Sequence, residues 1–250
     1  MRLLVTRPEP DAARTAEALR RLGHEVIVSP LFAFRPFADR RMPVRRFQAV
    51  VATSANAIRA LAVHPERAPI AELPLLAVGD ATALEARRTG FREVRSAGGA
   101  AADLIRLAVQ SCRPADGSIL YLAGESRAID LEAPLAEAGF AVQTAVLYAM
   151  DQQPLTGQAL AALRQKALDG ILVYSQRAAA ALALALRTAG LVPLAPEIAC
   201  FCLSQAVARP LRAIAAGPVE VAAAPDQISL FAAVERVASG GEAGPSATEA

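Results

Sequence analysis

Residues 49–61 read AVVATSANAIRAL. The stretch opens as a short apolar, β-branched run, Val50-Val51-Ala52, turns through Thr53-Ser54-Ala55-Asn56, and continues with helical composition. An apolar run bounded by turn residues reads as a buried strand. Ser54 or Asn56 is suited to cap the following helix, because a short side-chain oxygen accepts from first-turn N–H groups that lack a partner. Strand, tight turn and helix N-terminus together make a place where backbone N–H groups attract anions. A helix cap without a ligand is the plainer reading of the same residues. A second copy, DGILVYSQRAAAALAL at 169–184, sets Ser175 opposite Ser54.

The chain around this stretch has 250 residues, 54% of them hydrophobic, and a mean hydropathy of +0.33. That suffices for one large domain or two of roughly 100–150 residues. No apolar run reaches the ~20 residues of a membrane helix. The start, MRLLVTRPEPD, is too short and too interrupted by proline and acid for a signal peptide. A cytoplasmic protein with no membrane association is expected.

A net charge of +2 argues against nucleic acid as a partner. Lys166 is the only lysine, so arginine carries nearly all the positive charge. Arginine suits two-point binding of carboxylates, and a GC-rich genome produces the same bias. Cys112, Cys200 and Cys202 form no disulfide framework. Cys200 and Cys202 alternate within IACFCL, as buried thiols on one strand face do. With only His24 and His64 beside them, neither a metal site nor a Ser-His-Asp or Cys-His machine is expected.

Strands are expected at 2–6, 25–29, 48–52, 75–78, 93–95, 118–122, 141–147, 170–174, 197–202 and 219–222. Helices are expected near 11–22, 55–63, 81–88, 101–111, 128–138, 177–188, 205–213 and 228–237. This alternation implies parallel α/β sheets. Residues 31–47 and 148–154 read as extended crossings, and residues 239–250 as a disordered tail.

The chain also repeats itself in order. RLLVTRPEPDAARTAEALRRLGHEV aligns with SILYLAGESRAIDLEAPLAEAGFAV about 116 residues later, pairing Leu4 with Leu120. FQAVVATSANAIRAL then aligns with LDGILVYSQRAAAAL, and LLAVGDATALEARRTGFREV with IACFCLSQAVARPLRAIAAGPVEV. Order-preserving similarity over a whole half implies two similar structural units. Because the crossings fall at equivalent places, the expected domains are a discontinuous one, 1–35 plus 153–238, and an inserted one, 37–149. A ligand cleft between them is expected, with Ser54 and Ser175 on opposite walls.

The blocks LLVTRP, VVATSANAIRAL, LLAVGDATALEARRTGF, GSILYLAGESRAIDL, AGFAV with VLYAM, and ILVYSQRAAAAL together resemble the uroporphyrinogen-III synthase family. The similarity runs from Leu3 to about Val237. The resemblance implies two flavodoxin-like parallel-sheet domains joined by a two-stranded linker, and a monomeric lyase of tetrapyrrole biosynthesis. It implies hydroxymethylbilane, a linear tetrapyrrole with eight carboxylates, as substrate. The family closes it to uroporphyrinogen III with inversion of ring D and loss of water, using no cofactor and no metal. It also allows a transient contact with the preceding pathway enzyme.

Such chemistry asks the protein to bias geometry, through an azafulvene cation and a spiro intermediate, more than to supply strong acid or base. Candidate substrate-binding residues are those at strand–helix turns: Thr6 and Arg7; Thr53, Ser54 and Asn56; Gly79 and Thr82 in VGDATA; Gly124 and Arg127; Tyr174, Ser175 and Arg177; and Ser204. Tyr148 in VLYAM matches a tyrosine the family carries at the second crossing. The resemblance makes it the catalytic candidate, donating to the departing hydroxyl. In CLSQAV, Leu203 and Ala206 replace the Gly and Thr of VGDATA, leaving Ser204 as the substitute. A non-catalytic ligand-sensing or regulatory protein of the same fold is the alternative. A nicotinamide enzyme is disfavoured because no G-x-G-x-x-G follows a strand.

Overall fold

The structure is a computed structural model and describes residues 1–43, 46–127 and 130–240. Its strands are β1 (Arg2–Val5), β2 (Glu25–Val28), β3 (Phe32–Pro36), β4 (Phe47–Ala52), β5 (Leu75–Ala77), β6 (Val94–Ser96), β7 (Ser118–Gly124), β8 (Val142–Gln152), β9 (Gly170–Val173), β10 (Ala199–Cys202) and β11 (Val219–Val221). Its α-helices are α1 (Asp11–Arg21), α2 (Ala55–Ala62), α3 (Arg67–Ala71), α4 (Asp80–Arg88), α5 (Ala101–Ser111), α6 (Glu132–Glu137), α7 (Gly157–Arg164), α8 (Gln176–Thr188), α9 (Gln205–Arg212) and α10 (Gln227–Ala238). The chain divides into two compact units, one taking residues up to Ala33 and from Gln152 onward, the other Phe34–Asp151.

The first unit holds a five-stranded sheet in the order β11-β10-β9-β1-β2, every pairing parallel. Leu3, Leu4 and Val5 are fully buried, as are Ile171, Leu172 and Val173. Strands covered on both faces carry unbroken apolar runs, which is why β1 and β9 do not alternate. Leu3, Val5, Leu172 and Phe201 pack with Leu19 of α1 and with Leu230 and Val234 of α10. Gly170 is glycine for a packing reason: a β-carbon there would stand 2.5 Å from the Phe201 ring.

The second unit holds the order β3-β8-β7-β4-β5-β6, with β8, β7, β4, β5 and β6 parallel. Val50, Ala52, Leu120 and Leu122 meet α2 and α4 through Ile58, Leu61, Ala83 and Ala86 on one face. Val51, Ile119, Tyr121 and Ala123 meet Leu104 of α5 and Leu135 of α6 on the other. At the sheet edge, Phe37 N–H donates to Leu147 O (2.7 Å). The Arg35 guanidinium holds both Asp151 carboxylate oxygens, at 2.5 and 3.0 Å, tying β3 to β8.

The two sheets match strand for strand. Read from β2, the first is β2-β1-β9-β10-β11; read from β8, the second is β8-β7-β4-β5-β6. The first is the 2-1-3-4-5 order of a doubly wound, flavodoxin-like sheet; the second has the same spatial arrangement circularly permuted, 5-4-1-2-3 in its own chain order. The match reaches the register. Leu4 lies between Ile27 and Ile171, and Leu120 between Gln143 and Val50. Those are the partners that the sequence repeat aligns.

The structure differs from the sequence reading in a few places. Residues 31–36, expected as a crossing, include β3. The short α3 was not expected, nor was α7, whose first residue is a helix-disfavouring glycine and whose Thr156 cap accepts from Ala159 N–H at 3.3 Å. The helix expected at 128–138 is α6, shorter at both ends, and its residues 128 and 129 lie outside the described residues. Of the expected tail, residues 241–250 lie outside them too, while Ser239 and Gly240 close α10 through bonds to Glu235 O and Val237 O. No described helix is long and apolar enough to cross a membrane.

Candidate functional site

In a doubly wound sheet, ligands bind outside the carboxyl ends of the strands, at the point where strand order reverses. In the second unit that point lies between β7 and β4. The turn after β4 is tied down locally. Thr53 Oγ1 is 3.2 Å from Tyr121 Oη. Ser54 caps α2, accepting from Asn56 N–H at 3.1 Å. The Asn56 amide accepts from Arg59 (2.9 Å) and donates to Met150 Sδ (3.5 Å), and Arg59 goes on to Glu85 (3.3 Å). Thus the opening stretch holds the end of β8 as well as capping its own helix.

Tyr148 lies on β8 beside this turn. It is 8% exposed and belongs to the same apolar cluster as Ile58 and Leu122. The Phe34 ring packs on it with centroids 5.6 Å apart. Gly124 pairs with it in register, and Glu125 N–H donates to its carbonyl at 2.8 Å. Arg127 is drawn aside to Glu132 of α6, which also accepts from Thr144 at 2.6 Å. Those two bonds, Thr144's first, hold the Glu132 carboxyl below the usual range.

After β5, Gly79 occupies the cap position of α4 and offers no side-chain cap. A β-carbon at Gly79 would meet the Gly99 backbone at 3.4 Å, so the turn is narrow. Thr82, one turn into the helix, is buried.

The first unit builds the equivalent point between β1 and β9. Thr6 is fully buried and donates to Leu172 O (2.9 Å), joining the two strand ends. The Arg7 guanidinium stacks 4.2 Å from the Tyr174 ring centroid, pairs with Asp11 (3.3 Å) and donates to Thr15 and Gln227. Burial pushes the Tyr174 phenol up, with Thr15 and Arg7 opposing, so it stays protonated, and its buried hydroxyl makes no hydrogen bond among the described residues. Ser175 caps α8 through Ala178 N–H (3.1 Å), and Arg177 lies 4.4 Å from the centre of the Phe32 ring.

Ser204 sits at the cap of α9 but makes no side-chain cap bond. The equivalence drawn from sequence shifts here by one residue. Cys202 and Ala77 end their strands at matching register, so Ser204 stands where Gly79 stands, and Val207 stands where Thr82 stands. No group of three or more metal-ligating side chains occurs among the described residues. Cys200 and Cys202 are fully buried, and burial pushes both thiols up to about 12.

Sequence reasoning missed Phe34 and Met150, which flank Tyr148; the only signal for them was their equivalent place in the two crossings.

Residues 13–232 match the family profile described as Uroporphyrinogen-III synthase HemD. The chain belongs to the uroporphyrinogen-III synthase family. It is accordingly an enzyme of tetrapyrrole biosynthesis. Among solved structures, uroporphyrinogen-III synthetase from Helicobacter pylori is 18% identical, with a TM-score of 0.63 over 95% of this chain and 100% of that one. A mutant uroporphyrinogen III synthase from the extremely thermophilic bacterium Thermus thermophilus is 16% identical, with a TM-score of 0.57 over 96% and 99%. At such identities these likenesses speak for the fold, and it is the α/β fold of uroporphyrinogen-III synthases with two sheets of mainly parallel strands. No curated protein matches the chain.

Proposed function

We propose that this chain is a lyase that closes hydroxymethylbilane to uroporphyrinogen III. The hydroxyl of the hydroxymethyl group at the end of the substrate opposite ring D leaves as water, and the resulting azafulvene carbon is attacked by the substituted carbon of ring D. The spiro intermediate breaks one ring-D bond and recloses, so that ring D is inverted as the last proton leaves. The observation that carries this reading is the family match over residues 13–232.

The residues present suit the task. Tyr148 donates its phenolic proton to the departing hydroxyl. The helix N-termini at Gly79 and Ser204, neither closed by a side-chain cap bond, offer first-turn N–H groups to carboxylates. In the second unit Thr53, Ser54, Asn56 and Thr82 are the further carboxylate-binding groups, with Gly124 beneath the Tyr148 ring; in the first unit they are Tyr174 and Ser175. Arg7, Arg127 and Arg177 join them by exchanging their present partners for substrate carboxylates. Thr6 supports from beneath, since its hydroxyl is committed to Leu172 O. No cofactor takes part. The proposed place of action is the cytoplasm, in keeping with three free thiols.

The test is to supply the purified protein with hydroxymethylbilane and separate the oxidised porphyrin isomers. Isomer III is expected. Isomer I alone, at the rate without protein, refutes the proposal and leaves a non-catalytic relative of the same fold.

A further inference from the structure

Tyr148 reaches the face of α2 because β8 carries one residue more than its neighbour. Ala123 pairs with Val146, but the next residue, Gly124, pairs with Tyr148, so Leu147 is extra. Before this bulge, Ala145 and Leu147 point into the core beneath α2 and α4; after it, Tyr148 and Met150 do. In unbroken alternation Tyr148 would point to the opposite face of the sheet. Bulges beside active sites re-aim side chains in this way.

The re-aimed ring comes to rest on Gly124. A β-carbon at residue 124 would lie 2.6 Å from Tyr148 Cζ, 2.9 Å from Oη and 3.0 Å from Cε2. Gly124 does not occupy the left-handed region, so its backbone accepts any residue; the ring alone demands glycine.

We propose that Gly124 is the positioning residue of the reaction: together with the bulge at Leu147, its missing side chain fixes where the Tyr148 phenol stands. This rests on the reading of Tyr148 as the proton donor. Alanine at 124 must push the ring outward by about 1 Å to restore ordinary contact, and a misplacement of that size costs about 100-fold in rate.

Two readouts test this. The chain has three tyrosines and no tryptophan. Fluorotyrosine labelling therefore gives three fluorine resonances, with that of Tyr148 assigned by its loss in Tyr148→Phe. In Gly124→Ala the Tyr148 resonance is expected to shift while those of Tyr121 and Tyr174 stay; an unmoved Tyr148 resonance overturns the proposal. In turnover, Gly124→Ala is expected to lower kcat about 100-fold with KM nearly unchanged. It is expected to add little further loss in a Tyr148→Phe background.

Additive losses, or full activity in Gly124→Ala beside an impaired Tyr148→Phe, overturn the positioning role while leaving the proton-donor reading intact. Full turnover in Tyr148→Phe alone overturns the proton-donor reading and the catalytic role of Gly124 with it. Should Gly124→Ala fail to fold, Gly124→Ala/Tyr148→Ala must fold as well as Tyr148→Ala does, since the ring is then gone; failure of that pair also overturns the proposal.

Discussion

Tyr148 and the two strand-borne cysteines show how differently one strand position can be used. As the proposed donor to the leaving hydroxyl, Tyr148 is expected to be needed for most of the turnover, which Tyr148→Phe should remove. Removing a general acid typically costs about 100- to 10,000-fold, measured as isomer III formed per unit time. Cys200 and Cys202 present no such chemistry: with thiols held near 12, they carry almost no thiolate at neutral pH. A disulfide reagent at about pH 8, close to the ordinary thiol range, is expected to leave both untouched in the native protein. All three cysteines should react after unfolding. Their burial was legible in the alternation of IACFCL. The internal engagements of Arg7, Arg127 and Arg177 were not: Arg7 and Asp11 are four residues apart but Arg7 precedes α1, Glu132 is five residues beyond Arg127, and Phe32 is distant in sequence from Arg177.

At the scale of elements, the strand–turn–helix stretches were legible because apolar runs, cap residues and the repeat all pointed the same way. The bulge in β8 was not, since VLYAM is apolar on both parities and hides a change of face. The caps separate stability from binding. Ser175→Ala removes the bond to Ala178 N–H and is expected to cost about 1 kcal/mol, whereas Ser175→Gly costs only a few tenths. A large rise in KM for Ser175→Gly with stability nearly kept would mark a hydroxyl that meets substrate.

The start of α6 gives a pH prediction. The folded pKa of Glu132 is depressed, so its contribution to stability is complete above the ordinary glutamate value of about 4.3. It is lost as pH falls from there through the folded value. Glu132→Gln should therefore flatten the acid limb of the stability curve below about pH 4.3 and leave the neutral plateau's slope unchanged.

At the scale of the molecule, each sheet has its own buried clusters, and the clusters belong to different units. Chemical denaturation followed by two probes is expected to depart from a single two-state transition. Leu172→Ala and Leu120→Ala, each costing about 2–5 kcal/mol, should move different parts of the curve. One shared transition, shifted alike by both, would contradict this.

The strand correspondence carries one more consequence. The amino-terminal repeat supplies β1 and β2 to one sheet and β4, β5 and β6 to the other, and the carboxy-terminal repeat supplies the complement of each. Every sheet is therefore a hybrid of two half-chains that have traded their first two strands, as in a swapped dimer whose subunits were later fused. The heritable repeat and the folding unit are not the same object. Severed near residue 116, the halves should each stay unfolded alone and recover both sheets only when mixed.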